Sequence, residues 1–279
     1  MIKFVVAAAF IALPVAAFAD GSPWLPVPGS GQVTLGWVNQ AGDDFYVADQ
    51  KMTLPSKIKQ DTFSIGVQYG LTDEVALDAS LNYARSRFAA PAGFPIPHAE
   101  ESSLGDSTFG IKWRIVDEFD GGNHPTVSLR AAAIIKGNYG VGKIDAIGDG
   151  ASGVEVSALV GKYLTPALAI SGEIGYRYRN HNVPADVFGA IGLNYGFNKF
   201  VSASIGYSVV RSRGDLDIGG PGFSPARFPE VREDRNLARV GLGFNLTPRA
   251  SLDLNYGMVV AGRNTTKANV FGVALNSSF

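Results

Sequence analysis

The chain has 279 residues, with 24 Lys and Arg against 25 Asp and Glu, 34 glycines, 27 Tyr plus Phe, and no cysteine. The missing cysteine excludes disulfides, thiolate catalysis and Cys-based metal sites. The near-neutral charge gives no basic surface of the kind a nucleic-acid partner requires.

The first element reads as an export signal over residues 1–19. Lys3 is the positive start, Phe4–Ala16 the apolar run, and Ala17-Phe18-Ala19 an A-x-A cleavage site before Asp20. Without Lys3 the balance is 23 basic against 25 acidic, a net −2. No other segment approaches the ~20 apolar residues of a membrane helix. A Gly- and aromatic-rich exported chain of modest hydropathy suits a transmembrane β-barrel, whose greasy outside and polar inside average out. Residues 20–31, DGSPWLPVPGSG, carry Pro23, Pro26 and Pro28 and read as an extended segment, periplasmic or tucked into the barrel mouth as a plug. Residues 32–279 read as the barrel.

From there alternating segments follow one another. Gln32–Asn39 turns Val33, Leu35 and Trp37 outward, and Thr62–Gly70 turns Phe63, Ile65, Val67 and Tyr69 outward. Val75–Arg85 sends Leu77, Leu81 and Tyr83 out and Asp78, Ser80 and Asn82 in. Ser107–Val116 sends Phe109, Ile111, Trp113 and Ile115 out and Lys112 and Arg114 in. Thr126–Lys136 points Arg130 inward, with Lys136 near its top. Gly153–Leu164, Leu168–Arg179, Val187–Phe197, Phe200–Arg211, Leu237–Leu246, Ser251–Ala261 and Ala268–Phe279 continue the pattern; in Gly153–Leu164 the phase of Val154, Val156 and Val160 is open. The expectation is an all-β, antiparallel transmembrane β-barrel of about twelve strands, each long enough for the ~9–11 residues of a tilted crossing.

Short turns beside aromatics (Tyr69, Tyr163, Tyr195, Phe244) alternate with long loops at 41–61, 86–106, 137–151 and 213–236. That asymmetry is the periplasmic and external sides of an outer-membrane barrel. The stretch 117–125 is long for a periplasmic turn, and 180–186 and 263–267 are short for external loops. Tyr69, Tyr163, Tyr195, Phe197, Phe200, Phe244 and Phe279 gather at the turn side, and Trp37, Tyr83, Tyr176, Tyr178 and Tyr207 at the loop side. Two such belts are expected where rings sit at headgroup level. Phe271, Val273, Leu275 and Phe279 share one face of the last strand, which must pair with the first, since a sheet spans lipid only when closed. Outer-membrane lipids and lipopolysaccharide are the implied surroundings.

The inward charges are Asp78, Lys112, Arg114, Arg130, Lys136, Glu155, Glu173, Arg177, Arg179, Arg239 and Asp253: seven basic and four acidic, a surplus of three. They read either as a weakly anion-favouring constriction or as pairs bracing the wall, with Glu155 beside Arg177. Most other inward positions are small, which leaves a passage unless a loop or the N-terminal segment folds in. His98, His124 and His181 all fall in connections, away from any strand serine, so no enzyme and no cofactor is expected. Arg213-Gly214-Asp215 is a three-residue match to an adhesion motif. A surface barrel serving as anchor or adhesin through its loops is the alternative to a channel for small solutes.

Ser103-Leu104-Gly105-Asp106, running into Ser107-Thr108-Phe109-Gly110-Ile111-Lys112-Trp113, resembles the strand entry of the outer-membrane transporters named for the MetA pathway of phenol degradation, distant relatives of FadL-type channels. Gly148-Asp149-Gly150 before Val154, and Val210-Arg211-Ser212-Arg213-Gly214, fit the same pattern. The resemblance implies passage of small, often aromatic or hydrophobic, compounds. The chain is shorter than FadL and lacks its long N-terminal hatch, so lateral release of fatty acids is not implied. A last strand ending in Phe279 also resembles the signal read by the outer-membrane assembly machinery.

Overall fold

The computed structural model describes residues 21–93 and 98–279; the expected export signal lies outside them. The described residues form β1 (Gly31–Val47), β2 (Gln50–Gly70), β3 (Val75–Phe88), β4 (Glu101–Leu104, resumed as Ser107–Val116), β5 (Thr126–Ile135), β6 (Gly153–Thr165), β7 (Leu168–Arg179), β8 (Asp186–Gly196), β9 (Val201–Ser212), β10 (Asp234–Thr247), β11 (Ala250–Arg263) and β12 (Asn269–Ser278). Both pieces of β4 pair with β3, so they are one strand broken at Gly105-Asp106. Each strand pairs antiparallel with its chain neighbours, and β12 pairs back to β1. The result is a closed barrel of twelve strands among the described residues.

Closure runs from Gln32↔Ser278 to Ala41↔Asn269. Gly31 and Phe279 then exchange two backbone hydrogen bonds of 3.0 Å each. The Phe279 ring stacks on Tyr69 at 6.5 Å, so the last residue finishes the seam at the turn end. Among the described residues no strand edge is left open below Ile58 of β2 and Ala41 of β1, which is the condition for a sheet to stand in hydrocarbon.

Alternation sets the two faces. Leu35, Ile65, Leu81, Ile111, Ile174, Ile205, Val240 and Leu275 stand exposed on the outside, while Ala76, Ala132, Ala169 and Ala274 are buried on the inside. So large and continuous an apolar exterior would be anomalous in water; here it faces lipid. In β6 the phase left open by the sequence resolves: Val154, Val156 and Val160 are exposed to lipid, and Glu155, Ser157 and Leu159 face inward.

Two expectations change. Residues 41–61 are not a loop but the upper part of a tall β1–β2 hairpin that turns at Ala48-Asp49. At ~3.4 Å per residue the 17 residues of β1 extend roughly 55 Å. Its top lies above the membrane, so those positions lack the lipid-facing aliphatics that mark a crossing. Between Gly42↔Ile58 and Asp44↔Thr53 the register shifts, and the bulge takes in Pro55, which cannot donate to a ladder. Tyr163 also leaves the outer belt. It is partly buried and packs on Trp24, 5.0 Å between ring centroids, inside the turn end of the barrel.

Above the membrane, residues 213–233 fold inward around a 3-10 turn, Pro225–Glu230. Ile218 and Val231 from this loop join Phe45, Ile58 and Phe88 in one buried cluster.

Candidate functional site

The lumen is built in three levels. At the turn end residues 21–26 run inside the barrel, and 27–30 return to the rim, with 27–29 exposed. The Gly21 amide donates to Glu173 at 2.9 Å, Lys112 Nζ donates to the Ser22 carbonyl at 2.8 Å, and Ser128 Oγ donates to the Pro23 carbonyl at 2.6 Å. Trp24 Nε1 donates to Glu118 at 2.7 Å. Gly161 leaves the space that Pro23 and Trp24 occupy: a Cβ there would stand 2.7 Å from the proline ring. Pro28 bridges to Gly70, which closes the path back to the rim. Extended prolines leave carbonyls unpaired, and the inward hydroxyl and ammonium groups take them up.

At mid-height the inward charges form one continuous ladder. Arg130 holds Asp78 (2.6 Å) and Glu155 (2.7 Å); Arg177 holds Glu155 (2.8 Å) and Asp186 (3.5 Å); Arg179 holds Asp186 (3.2 Å) and Asp149. Asp78 reaches Arg130 across β4 because residue 110 is glycine; a Cβ there would sit 2.6 Å from the Asp78 carboxylate. Arg177 also lies over the Phe188 ring at 5.0 Å. Removing one member would leave a low-exposure charge unmatched, a change of several kcal/mol in comparable pairs.

Above the ladder lies a cavity of about 360 Å³. Its floor includes Arg177, Arg179 and Asp186, and its upper wall Phe45, Ile58, Ile218, Phe228 and Val231. Arg235 and Glu233 also line it. Asn264 pins the cap. Its Oδ1 accepts from the Ala48 amide (2.8 Å) and the Ile218 amide (3.2 Å), and its Nδ2 donates to Asp217 and the Arg232 carbonyl (2.8 Å each). Asn264 has φ 50°, a left-handed conformation that asparagine tolerates. Arg263 adds a forked pair to Asp217, which holds that carboxyl below its ordinary value.

The residues singled out in the sequence divide accordingly. Asp78, Arg130, Glu155, Arg177 and Arg179 form the ladder, and Lys112 and Glu173 hold the N-terminal segment. Arg114 sits at the turn rim, paired with Asp117 at 2.7 Å. Asp253 accepts from Asn276 at 2.6 Å, and Arg239 lies on the inner wall against Gly206. Lys136 stands exposed beyond the end of β5 and makes no ion pair among the described residues. Phe271, Leu275 and Phe279 are exposed on the outside of β12, with Val273 between them. Asp149, Asp186, Phe188, Arg235 and Asn264 were not picked out. Asp186 is the first residue of β8 and Asp149 lies in a loop, places where alternation carries little signal. With these two carboxylates counted, and with Arg114 at the rim and Lys136 outside the lumen, five basic residues face six acidic ones, and the expected basic surplus disappears. Arg213, the first residue of the adhesion-like triplet, lies over the Tyr176 ring at 5.8 Å, and Gly214 is only partly exposed.

The sequence profile of the family described as putative MetA-pathway of phenol degradation matches residues 37–275. Among solved structures the chain is similar to an outer membrane channel from Pseudomonas putida F1, with a TM-score of 0.73 and 16% identity over 94% of this chain and 100% of that one. It is also similar to the NanC porin (TM-score 0.54, 9% identity, 88% and 98% covered) and to the translocator domain of the autotransporter NalP from Neisseria meningitidis (0.52, 13%, 91% and 90%). At these identities the likeness is one of fold. No curated protein matches the chain.

Proposed function

The chain belongs to the family described as putative MetA-pathway of phenol degradation, and on that premise we propose that it is a gated outer-membrane channel for small solutes that are in part apolar or aromatic. The observation that carries this reading is the cavity of about 360 Å³ above the charge ladder, apolar on one side and charged on the other. Its volume falls in the ~300–1,000 Å³ range of small-molecule sites. A tube that served only as a scaffold has no need of an internal chamber with mixed lining.

Residues 21–30 act as the periplasmic closure, and residues 213–233 as the external one. Solute moves when each yields. The charge ladder keeps the wall rigid while the closures shift, and Arg235, which lines the chamber without a side-chain partner among the described residues, gives a weak preference for anions there. The two closures also favour a second reading, a non-conducting barrel that presents its loops. Swelling of liposomes that hold the refolded protein separates the two. Uptake of small aromatic solutes faster than of sugars of equal size supports the channel, and no uptake of either supports the sealed barrel.

A further inference from the structure

The outside of the tall hairpin carries a charge pattern that transport does not use. On β2 and β3 the outward row Phe63–Tyr83 belongs to the loop-side aromatic belt. One row up, Asp61 faces Arg85, and the next row pairs Lys59 with Arg87. Lys57 follows on the same face of β2. Successive outward rows are two residues apart, roughly 7 Å along the strand. With strands tilted by roughly 40°, Arg85 therefore stands about 5 Å, and Lys59 and Arg87 about 10 Å, above rings that sit at headgroup level.

The counter-charges are incomplete. Arg85 donates to Glu100 at 2.7 Å, and Arg87 lies 3.7 Å from Asp61, which already accepts from Asn39 at 2.8 Å. Both partners in the Arg85–Glu100 pair are half-exposed, so the pair contributes little in water and yields readily to a competing anion. The ammonium groups of Lys57 and Lys59 make no hydrogen bond or ion pair among the described residues. With Asp43 exposed at the β1 bulge beside Lys57, four cations face three carboxylates, which leaves +1 on one exposed patch beside the bilayer surface.

We propose that Lys57, Lys59, Arg85 and Arg87 form a binding site for the phosphate groups of lipid A, the glycolipid anchor of lipopolysaccharide in the outer leaflet. The partner follows from position and charge. The acyl chains would lie against Phe63, Leu81 and Tyr83, and a phosphorylated sugar would stand at the level of the cations. Arginine forks and lysine ammonium groups are the usual donors to phosphate oxygens, and each cation near such a surface adds to the attraction. The extra height of β1–β2 places these residues where a barrel trimmed to the membrane would have none.

The test uses the refolded barrel in detergent and native mass spectrometry, with bisphosphorylated lipid A and the same lipid stripped of phosphate. The wild type is expected to bind the phosphorylated form at least tenfold more tightly. Lys57→Glu with Lys59→Glu, two exposed changes that leave the lumen untouched, is expected to abolish that preference. A control at the opposite rim, Lys162→Glu with Lys199→Glu, is expected to keep it. Equal binding of the two lipids by the wild type would overturn the proposal, and so would an undiminished preference in the Lys57/Lys59 variant. Folding is read separately from the heat-modifiable mobility of each variant.

Discussion

Trp24 is where the closure at the turn end can be tested most sharply. Its ring packs on Tyr163 at 5.0 Å, and its Nε1 donates to Glu118 at 2.7 Å. Truncating a buried Trp to Ala costs about 3–5 kcal/mol; Trp24 is only partly buried, so about 2 kcal/mol is the appropriate packing loss. A hydrogen bond to a charged group adds about 1.5 kcal/mol. The sum, about 3.5 kcal/mol, is more than two decades in an equilibrium constant at ~1.4 kcal/mol per decade. If residues 21–26 leave the lumen as a unit, Trp24→Ala raises the released fraction roughly a hundredfold or more. The chain has no cysteine, so Ser22→Cys supplies a single label site whose modification rate by a bulky maleimide counts release. The double variant is expected to label about a hundredfold faster than Ser22→Cys alone and to open far more often in a planar bilayer. Unchanged labelling and unchanged openings would refute the closure.

The external closure has a pH signature. The Arg263 hydrogen bond holds the Asp217 carboxyl below its ordinary 3.8, so its contribution is present above that value and is lost as pH falls through the lowered one. Proteolysis within 213–233 should stay slow from pH 7 to about 4 and quicken below; Asp217→Asn should be cut fast at pH 7, and equal rates for the two proteins would count against the pin. Arg235 lines the chamber without a side-chain partner among the described residues, so Arg235→Glu should move the reversal potential in a salt gradient toward cations with the fold intact. The same change at Arg177 and Arg179 should instead impair folding, because it would add two carboxylates beside Glu155, Asp186 and Asp149. Deleting Phe279 removes one stacked ring and two seam hydrogen bonds and should lower the amount of heat-modifiable barrel in the outer membrane. Normal levels would show that assembly does not read this residue.

The strands within the membrane were legible because lipid imposes a period of two with large apolar side chains on every outward position. Phe63, Ile65, Val67 and Tyr69 carry that signal in four successive outward sites. Above the bilayer the signal vanishes, since outward positions such as Lys57, Lys59 and Arg87 face water, and the top of β1–β2 therefore reads as a loop. The inward face of Arg130 and Arg177 could be assigned from alternation, and the hairpin placed Glu155 beside Arg177 although the phase of its own strand was open. The remainder of the ladder could not, because Asp149 is delivered by a loop and Asp78 reaches across a neighbouring strand at Gly110. Tyr163 misled for a related reason. An aromatic near a turn fits an outer belt equally well until Trp24, more than a hundred residues earlier in the chain, is known to lie inside.

The most direct test of a gated channel is single-channel recording of residues 20–279 and of residues 31–279 in the same bilayer. The full barrel should sit mostly closed with discrete brief openings, and the shortened one, left with the external closure alone, should open far more often. Silence from both, in barrels whose heat-modifiable mobility shows them folded, would contradict the account.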